Sequence, residues 1–401
     1  MRKNYSLFGM PEKVKFCKKC IISNQRPDAT IEFESKNTFK KKGILIEENN
    51  ICSACKFNEM KDKEINWKER EKKLKILCDK YRKKSGYDVI VPSSGGKDSG
   101  YVAHILKYKY KMNPLTVTWA PHIYSDIGWK NLQSFIHVGG FDNILFTPNG
   151  RLHSLLTSLA FKNLLHPFQP FIIGQKTIGP LIALKFGIPF VMFGENNSEY
   201  GNDLDDNFKP EMDKKFFSNQ NINKIYLGGE SIASIIKNYD FNLNDFTPYI
   251  PSKLEELKKS KVAVHFFSYY KKWDPQESYY YAYEKTGFKP NTERTEGSYS
   301  KYSSIDDKID DFHYYATYIK FGLGRASYDA AQEIRCGKIT REEAVSLVKK
   351  YDGEFPKKNF EAFLKYINVN EKEFWNIIDG YRSPHLWKKE NGKWIMKEKV
   401  K

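Results

Sequence analysis

Tyr87-Asp88-Val89-Ile90-Val91-Pro92-Ser93-Ser94-Gly95-Gly96-Lys97-Asp98-Ser99-Gly100-Tyr101-Val102-Ala103-His104-Ile105-Leu106 is the stretch that decides the fold. Val89, Ile90 and Val91 form the unbroken apolar run of a strand buried on both faces. Ser94, Gly95 and Gly96 place small residues where backbone must approach a ligand closely. Asp98 and Ser99 stand where they would cap a helix carrying Val102, Ile105 and Leu106 inward. The free N–H groups at the start of such a helix form a ready anion site after a glycine turn. Two common phosphate loops are excluded. Walker A needs Gly-x-x-x-x-Gly-Lys followed by Ser or Thr, but Val91 stands at its first glycine and Asp98 follows Lys97. The dinucleotide pattern Gly-x-Gly-x-x-Gly is absent from the stretch as well.

Ser94-Gly95-Gly96-Lys97-Asp98-Ser99 resembles the Ser-Gly-Gly-x-Asp-Ser loop of the ATP pyrophosphatase (PP-loop) family. Members of that family transfer AMP to a carbonyl or related oxygen and release pyrophosphate. The resemblance implies ATP on Ser94, Gly95, Gly96, Lys97, Asp98 and Ser99, with Lys97 and Asp98 taking part in the chemistry.

The rest of the chain supplies a matching core. After Val89, strands are expected at Leu115–Trp119, Asn143–Phe146 and Ile188–Phe193, with a late one over Val262–Phe267. Helices at about Arg151 to Leu165 and Lys176 to Phe186 alternate with them. Such alternation predicts an α/β fold, a parallel sheet with helices on both faces, of the adenine-nucleotide α-hydrolase kind. Ligands in these sheets gather at the carboxyl ends of the strands. That rule makes Ser94–Ser99, Thr118-Trp119 and Gly194-Glu195-Asn196 three walls of one pocket. In the PP-loop family adenine rests at the end of the second strand, which implies Thr118 and Trp119 here. Glu195 and Glu199 are candidates to hold Mg²⁺ or to take a proton from attacking ammonia.

Ahead of the core, Cys17-Lys18-Lys19-Cys20 and Cys52-Ser53-Ala54-Cys55 are two knuckles separated by 31 residues. With no export signal read at Met1 to Ser6, they read as a structural zinc site, not as disulfides. A hairpin of Thr30–Phe33 with Gly43–Ile46 is expected between them. Residues 61–86 read as an amphipathic linker helix with Trp67, Leu74, Leu77 and Cys78 inward, Cys78 being a buried small hydrophobe. The expected organisation is a zinc module over 1–60, this linker, a core over 87–267, and a mainly helical region over 268–401. The core carries a helical insertion over about 202–260, whose Asp203, Asp205 and Asp206 read as solvated loop.

Of the 401 residues 40% are hydrophobic, enough for a proper core, and the net charge is +17. Lysine-rich segments such as 68–84 alternate with acids and read as solvated helix faces, so no nucleic-acid partner is expected. No run of about 18 apolar residues appears, so no membrane span is expected, and the expected compartment is the cytoplasm. In the C-terminal region, Asp306-Asp307-Lys308-Ile309-Asp310-Asp311 would put Asp306 and Asp310 on one face of a helix, with Lys308, Lys320, Arg325 and Arg335, or else Mg²⁺, to answer the charge. Thr340 and Glu343 form a capping box.

Taken in order, these motifs resemble the N-acetyl sugar amidotransferases, PP-loop enzymes of surface-polysaccharide (lipopolysaccharide) and flagellin-glycan biosynthesis. The resemblance covers about residues 14–360 and rests on the four cysteines, Ser94–Ser99, Thr118-Trp119-Ala120-Pro121, Gly194-Glu195-Asn196 and Glu199-Tyr200-Gly201. It also rests on Asp306–Asp311, Ile319–Ala326 and Tyr351-Asp352-Gly353-Glu354-Phe355-Pro356. It implies ATP with Mg²⁺, attack by an acetamido oxygen on the α-phosphorus, and displacement of AMP by ammonia to leave an acetamidino group. The sugar would be nucleotide-activated, a nonulosonic acid of the pseudaminic or legionaminic type or a hexosamine derivative. Glu195 would act in catalysis, and Glu199, Asp306, Asp310, Lys320 and Arg325 would meet the substrate. Residue 2 is Arg2, and neither Cys78 nor Cys336 has the setting of a glutaminase nucleophile. The resemblance therefore implies a separate glutaminase, resembling the amidotransferase subunit of imidazole glycerol phosphate synthase, and its barrel companion. The rival is a tRNA-modifying PP-loop enzyme adenylating a base oxygen, against which stands the lack of paired cysteines in the core. A zinc-containing scaffold that only binds nucleotide or RNA is the non-enzyme alternative.

Overall fold

The computed structural model describes residues 5–36, 40–202, 209–219 and 221–401, so Met1 to Asn4 and the acidic run Asp203, Asp205 and Asp206 lie outside the described residues. Strands β1 (Val89–Pro92), β2 (Pro114–Trp119), β3 (Asp142–Phe146), β4 (Phe190–Phe193) and β5 (Ala263–Phe266) form one sheet in the order β3-β2-β1-β4-β5. Every pairing in it is parallel. Successive residues point to opposite faces, so an apolar run must be covered on both sides. Ile90, Val191 and Val264 join one apolar layer with Leu152 and Leu156 of α5 (Gly150–Leu164) and Ile178 of α6 (Gln169–Phe186). Val89, Val91, Phe190 and Met192 face the other way. They meet Leu74 and Cys78 of α2 (Trp67–Tyr81), Val102 of α3 (Lys97–His104) and Leu132 of α4 (Asp126–His137). Strand order reverses between β1 and β4, and the loops leaving those two strands flank the resulting crevice.

Ahead of the sheet, α1 (Ser53–Lys63) begins at the second cysteine knuckle. The linker is therefore two helices, and Asn66 caps the second by accepting from the Glu69 N–H at 3.1 Å. The expected hairpin is replaced by a short 3-10 turn, Glu32–Glu34, with single bridges from Pro27 to Gly43 and from Ile46 to Cys52. Segment 202–260, among its described residues, mixes two-residue strands and 3-10 turns with two short helices, Ile232–Asn238 and Leu254–Lys259.

The C-terminal region is mostly helical: α7 (Pro275–Lys285), α8 (Asp310–Phe321), α9 (Arg325–Arg335), α10 (Arg341–Tyr351), α11 (Phe360–Ile367) and α12 (Glu371–Gly380). An antiparallel hairpin of β6 (Trp387–Glu390) and β7 (Lys393–Met396) follows. The Thr340–Glu343 capping box opens α10. Helix α8 starts at Asp310, so Asp306 and Asp307 lie in the loop before it and the expected helical pairing of Asp306 with Asp310 does not form. This loop is instead stitched to the chain that follows β2. Ser125 N donates to Asp306 O at 3.1 Å, Lys308 N donates to Ile123 O at 3.0 Å, and the Ser125 hydroxyl donates to Ile305 O. Gly128 is required at this crossing, because a Cβ there would stand 2.4 Å from Asp306 Cα. Among the described residues, no helix is long and apolar enough to cross a membrane.

Candidate active site

The loop after β1 is held in shape by its own serines. Ser93 Oγ donates to Ser99 Oγ at 2.9 Å and accepts from Gly95 N at 3.2 Å, and Ser99 Oγ donates to Gly96 O at 3.2 Å. Gly95 has φ +81°, and a Cβ on it would lie 2.7 Å from Leu132 Cα, so only glycine lets the loop press against α4. The N-cap of α3 is Gly96, which offers no side chain to the first turn. Asp98 and Ser99 do not cap this helix. Asp98 is engaged elsewhere, accepting from Lys97 Nζ at 2.5 Å and from Trp273 Nε1 at 3.0 Å. The helix thus presents first-turn N–H groups with no side-chain partner, beside a lysine, which is the arrangement that holds phosphate oxygens.

The loop opens onto a cleft of about 410 Å³ lined by Ser94–Ser99, Trp119, Glu195, Asp306 and Arg325. Glu195 follows β4 and accepts from the Tyr200 hydroxyl at 3.1 Å. Burial, and then the nearby Asp98 charge, raises its pKa above the usual carboxylate value. Asp306 enters from the C-terminal region, where the Ser94 hydroxyl bonds its carboxylate. Burial foremost and then Asp307 push its pKa up. Arg325 Nε is 3.1 Å from Asp329 Oδ2 and its Nη1 is 2.5 Å from the Tyr314 hydroxyl, which fix its guanidinium at the cleft edge. Trp119 stacks on Phe146 with ring centroids 5.1 Å apart and lies against Gly174 of α6. Phe171, Ile178, Phe193, Met212 and Phe266 form an apolar stretch of the remaining wall, which also carries Gln175 and Lys176. Asp98 stands in the first turn of α3 and its charge already weighs on Glu195. With phosphate oxygens and water it would hold Mg²⁺, which commonly takes one or two carboxylates beside a substrate's phosphates.

Four residues expected at the site do not line this cleft. Thr118 turns inward, donating to Ser93 O at 2.6 Å. Glu199 makes a buried ion pair with Lys61 at 2.5 Å, both side chains being 2% exposed. Lys320 donates to Leu164 O at 2.6 Å, and burial lowers its pKa to about 7. Asp310 opens α8 behind the cleft, its pKa pushed by burial to about 7. Sequence reading overlooked Trp273, Tyr200, Tyr302 and Lys176. Trp273 and Tyr200 brace Asp98 and Glu195, while Tyr302 and Lys176 line the cleft. Burial lifts the Cys78 thiol to about 12 and the Cys336 thiol to about 11, so neither is a thiolate at neutral pH.

The four knuckle cysteines converge, with all four sulfurs within 4.8 Å of one another. Cys17 Sγ lies 3.8 Å from Cys55 Sγ, and Cys20 Sγ lies 3.6 Å from Cys52 Sγ. Zinc–sulfur bonds of about 2.3 Å at tetrahedral angles give an edge of about 3.8 Å, so the cluster fits a structural zinc ion. It abuts the loop carrying Glu195. Ser53 Oγ donates to Gly201 O, and Arg335 Nη2 donates to Glu199 O at 3.3 Å from beside the cysteines.

Residues 296–401 match the family model described as LPS biosynthesis protein WbpG-like, C-terminal domain. The match fits an N-acetyl sugar amidotransferase family. No curated protein matches the chain. The WbpG-like segment supplies one side of the cleft through Tyr302, Ser304, Ile305, Asp306 and Arg325, and it carries Arg335 to the cysteine cluster.

Proposed function

We propose that this chain is an AMP-forming, ATP-dependent amidotransferase that converts the acetamido group of an N-acetylated sugar to an acetamidino group in surface-glycan biosynthesis. The observation that supports it most is a phosphate loop at an uncapped helix start, faced across one cleft by Glu195 and by Asp306 of the WbpG-like segment. The acetamido oxygen attacks the α-phosphorus of ATP, the bond to the β-phosphate oxygen breaks, and pyrophosphate departs. Ammonia adds to the imidate carbon, the carbon–oxygen bond to AMP breaks, and an amidine remains. Lys97 and the first-turn N–H groups of α3 take the charge that grows on pyrophosphate. Mg²⁺ held at Asp98 supplies further neutralisation of the triphosphate when bound. Trp119 supports adenine. Glu195 accepts the proton that ammonia loses on adding, a task its raised pKa suits. The apolar wall of Phe171, Ile178, Phe193 and Phe266 keeps water from the imidate.

Ammonia comes from a separate glutaminase of the imidazole glycerol phosphate synthase type and its barrel companion, working beside this chain in the cytoplasm. The test is ATP turnover with ammonium over a panel of carrier-linked N-acetyl sugars and bulk tRNA. AMP and pyrophosphate formed only with a sugar support the assignment. AMP that depends on tRNA points to base modification, and ADP refutes the reading of the loop.

A further inference from the structure

Three cations, Lys97, Lys176 and Arg325, line the cleft with three acids, Asp98, Glu195 and Asp306, and pairing leaves one cation over. Lys97 is paired with Asp98 at 2.5 Å, and Arg325 is paired at 3.0 Å with Asp329, which is not part of the lining. Glu195 accepts from the Tyr200 hydroxyl, and Asp306 is bonded by the Ser94 hydroxyl. Lys176 has no hydrogen-bond acceptor and no acid within ion-pair distance among the described residues. Its ammonium lies 5.5 Å from the centre of the Phe216 ring, and Glu32 acts on it only from beyond ion-pair distance.

The helix that carries Lys176 spans both ends of the proposed nucleotide site. Gly174 of α6 lies against Trp119, where a Cβ would stand 2.2 Å from Cε2 of the ring. Gly179 lies against Pro92, the last residue of β1 before the phosphate loop, where a Cβ would stand 2.8 Å from Cγ. Trp119 is the support proposed for adenine, and the loop is the site proposed for the outer phosphates. The α-phosphate joins adenosine to those phosphates, so it falls between the two supports. Lys176 stands between Gly174 and Gly179 on the helix and reaches the same cleft.

We propose that Lys176 is a further catalytic residue, which holds the α-phosphate of ATP and then the phosphate of AMP. The inference rests on the amidotransferase reading and adds to it the group that acts on the phosphorus under attack. In the first step the acetamido oxygen bonds to that phosphorus, and the electron pair of the breaking bond leaves with pyrophosphate, where Lys97 and the start of α3 answer it. In the second step the carbon–oxygen bond breaks, and its electron pair goes to an oxygen of AMP. No pyrophosphate remains by then, so the second leaving group needs a cation of its own. One ammonium beside the α-phosphate serves both steps through charge-assisted hydrogen bonds. Phe171, Phe193 and Met212 beside it make the surroundings apolar, where such a contact is less screened than in water. Burial lowers the pKa of Lys176, and an adjacent phosphate favours its charged form again.

The test titrates AMP and pyrophosphate separately, each with Mg²⁺, into wild type, Lys176→Met and Lys97→Ala in a calorimeter. Lys176→Met should weaken AMP by about tenfold or more and leave pyrophosphate in place, while Lys97→Ala should do the reverse. Lys176→Gln, which keeps a polar side chain without the charge, gives the same comparison should Lys176→Met fail to fold. Unchanged AMP affinity in the Lys176 variant overturns the assignment, as does an equal loss for both ligands. The same proteins, assayed for AMP formation with carrier-linked N-acetyl sugars and ammonium, separate this claim from the reaction itself. AMP affinity that the variant weakens, in a protein that forms no AMP with any of these sugars, overturns amidination and keeps Lys176 at the α-phosphate. AMP formation by wild type, with AMP affinity that the variant leaves intact, overturns the role of Lys176 and keeps amidination. A wild type that binds neither AMP nor pyrophosphate overturns both.

Discussion

In the proposed reaction Lys97 and Glu195 carry opposite sides, and their surroundings separate their effects. Lys97 faces the cleft with Asp98 as its only ion-pair partner among the described residues, so Lys97→Ala should cost about 10²–10³-fold in the rate of AMP formation without lowering the melting temperature. Glu195 must be ionised to accept a proton, and burial beside Asp98 raises its pKa. The rate of the ammonia step should therefore rise with pH through a value above that of an ordinary carboxylate. Glu195→Gln should abolish that limb of the profile while leaving ATP affinity unchanged in a binding titration. Asp310 tests the same physics away from chemistry. Its folded pKa, about 7, lies above the unfolded value, so the folded state binds the proton more tightly, and stability is lost as pH rises toward and through 7. Asp310→Asn should be the more stable protein at pH 8 in a denaturant titration, and its advantage should vanish near pH 4. An advantage that persists at pH 4 would show that charge burial is not the cause.

At the scale of elements, α6 shows where packing overrides local signals. It contains Gly174, Gly179 and Pro180, residues that argue against a helix, and sequence reading starts it only at Lys176. The structure starts it at Gln169 because those positions let the helix lie flat on the sheet. A Cβ at Gly174 would meet Trp119 Cε2 at 2.2 Å, and one at Gly179 would meet Pro92 at 2.8 Å. Gly174→Ala should destabilise the protein by ~1–3 kcal/mol in chemical denaturation and raise KM for ATP by displacing Trp119. Retention of wild-type stability would contradict this packing. The legible parts of the sequence had strong local signals: the apolar runs of β1 to β4, the glycine loop, and the paired cysteines. The insertion was not legible, since its short strands and 3-10 turns carry little periodicity. The acids of 306–311 imitate a helix in spacing, yet Asp307 is drawn to His122 and to the N–H groups of His122, Ile123 and Ile309, so the helix begins only at Asp310. Lys320 and Glu199 read as site residues because charge in a motif suggests a ligand. Their partners, Leu164 O and Lys61, come from distant parts of the chain, and no local pattern announces them.

Over the whole molecule, the cleft is assembled from three sources: the sheet, the WbpG-like segment, and the N-terminal module that buttresses the Glu195 loop. The four thiols lie in a buried apolar cluster shared with α9 and α10, and a metal held between them would add to the order of the N-terminal module. Chelation, or Cys52→Ser, should release close to one zinc per chain, expose the N-terminal module to protease and lower the melting temperature. Because Ser53 and Arg335 tie that module to residues 199–201, the treated protein should also lose activity through the Glu195 loop. A chain that contains no zinc and resists protease equally with and without chelator would contradict the metal assignment.

The proposed reaction transfers AMP to an acetamido oxygen. It is tested most directly by supplying a carrier-linked N-acetyl sugar labelled with ¹⁸O at its acetamido carbonyl, together with ATP and ammonium, and weighing the products. The label should leave the sugar and appear in the phosphoryl group of AMP, with an amidine left behind. Unlabelled AMP, or label recovered in inorganic phosphate beside ADP, would contradict it.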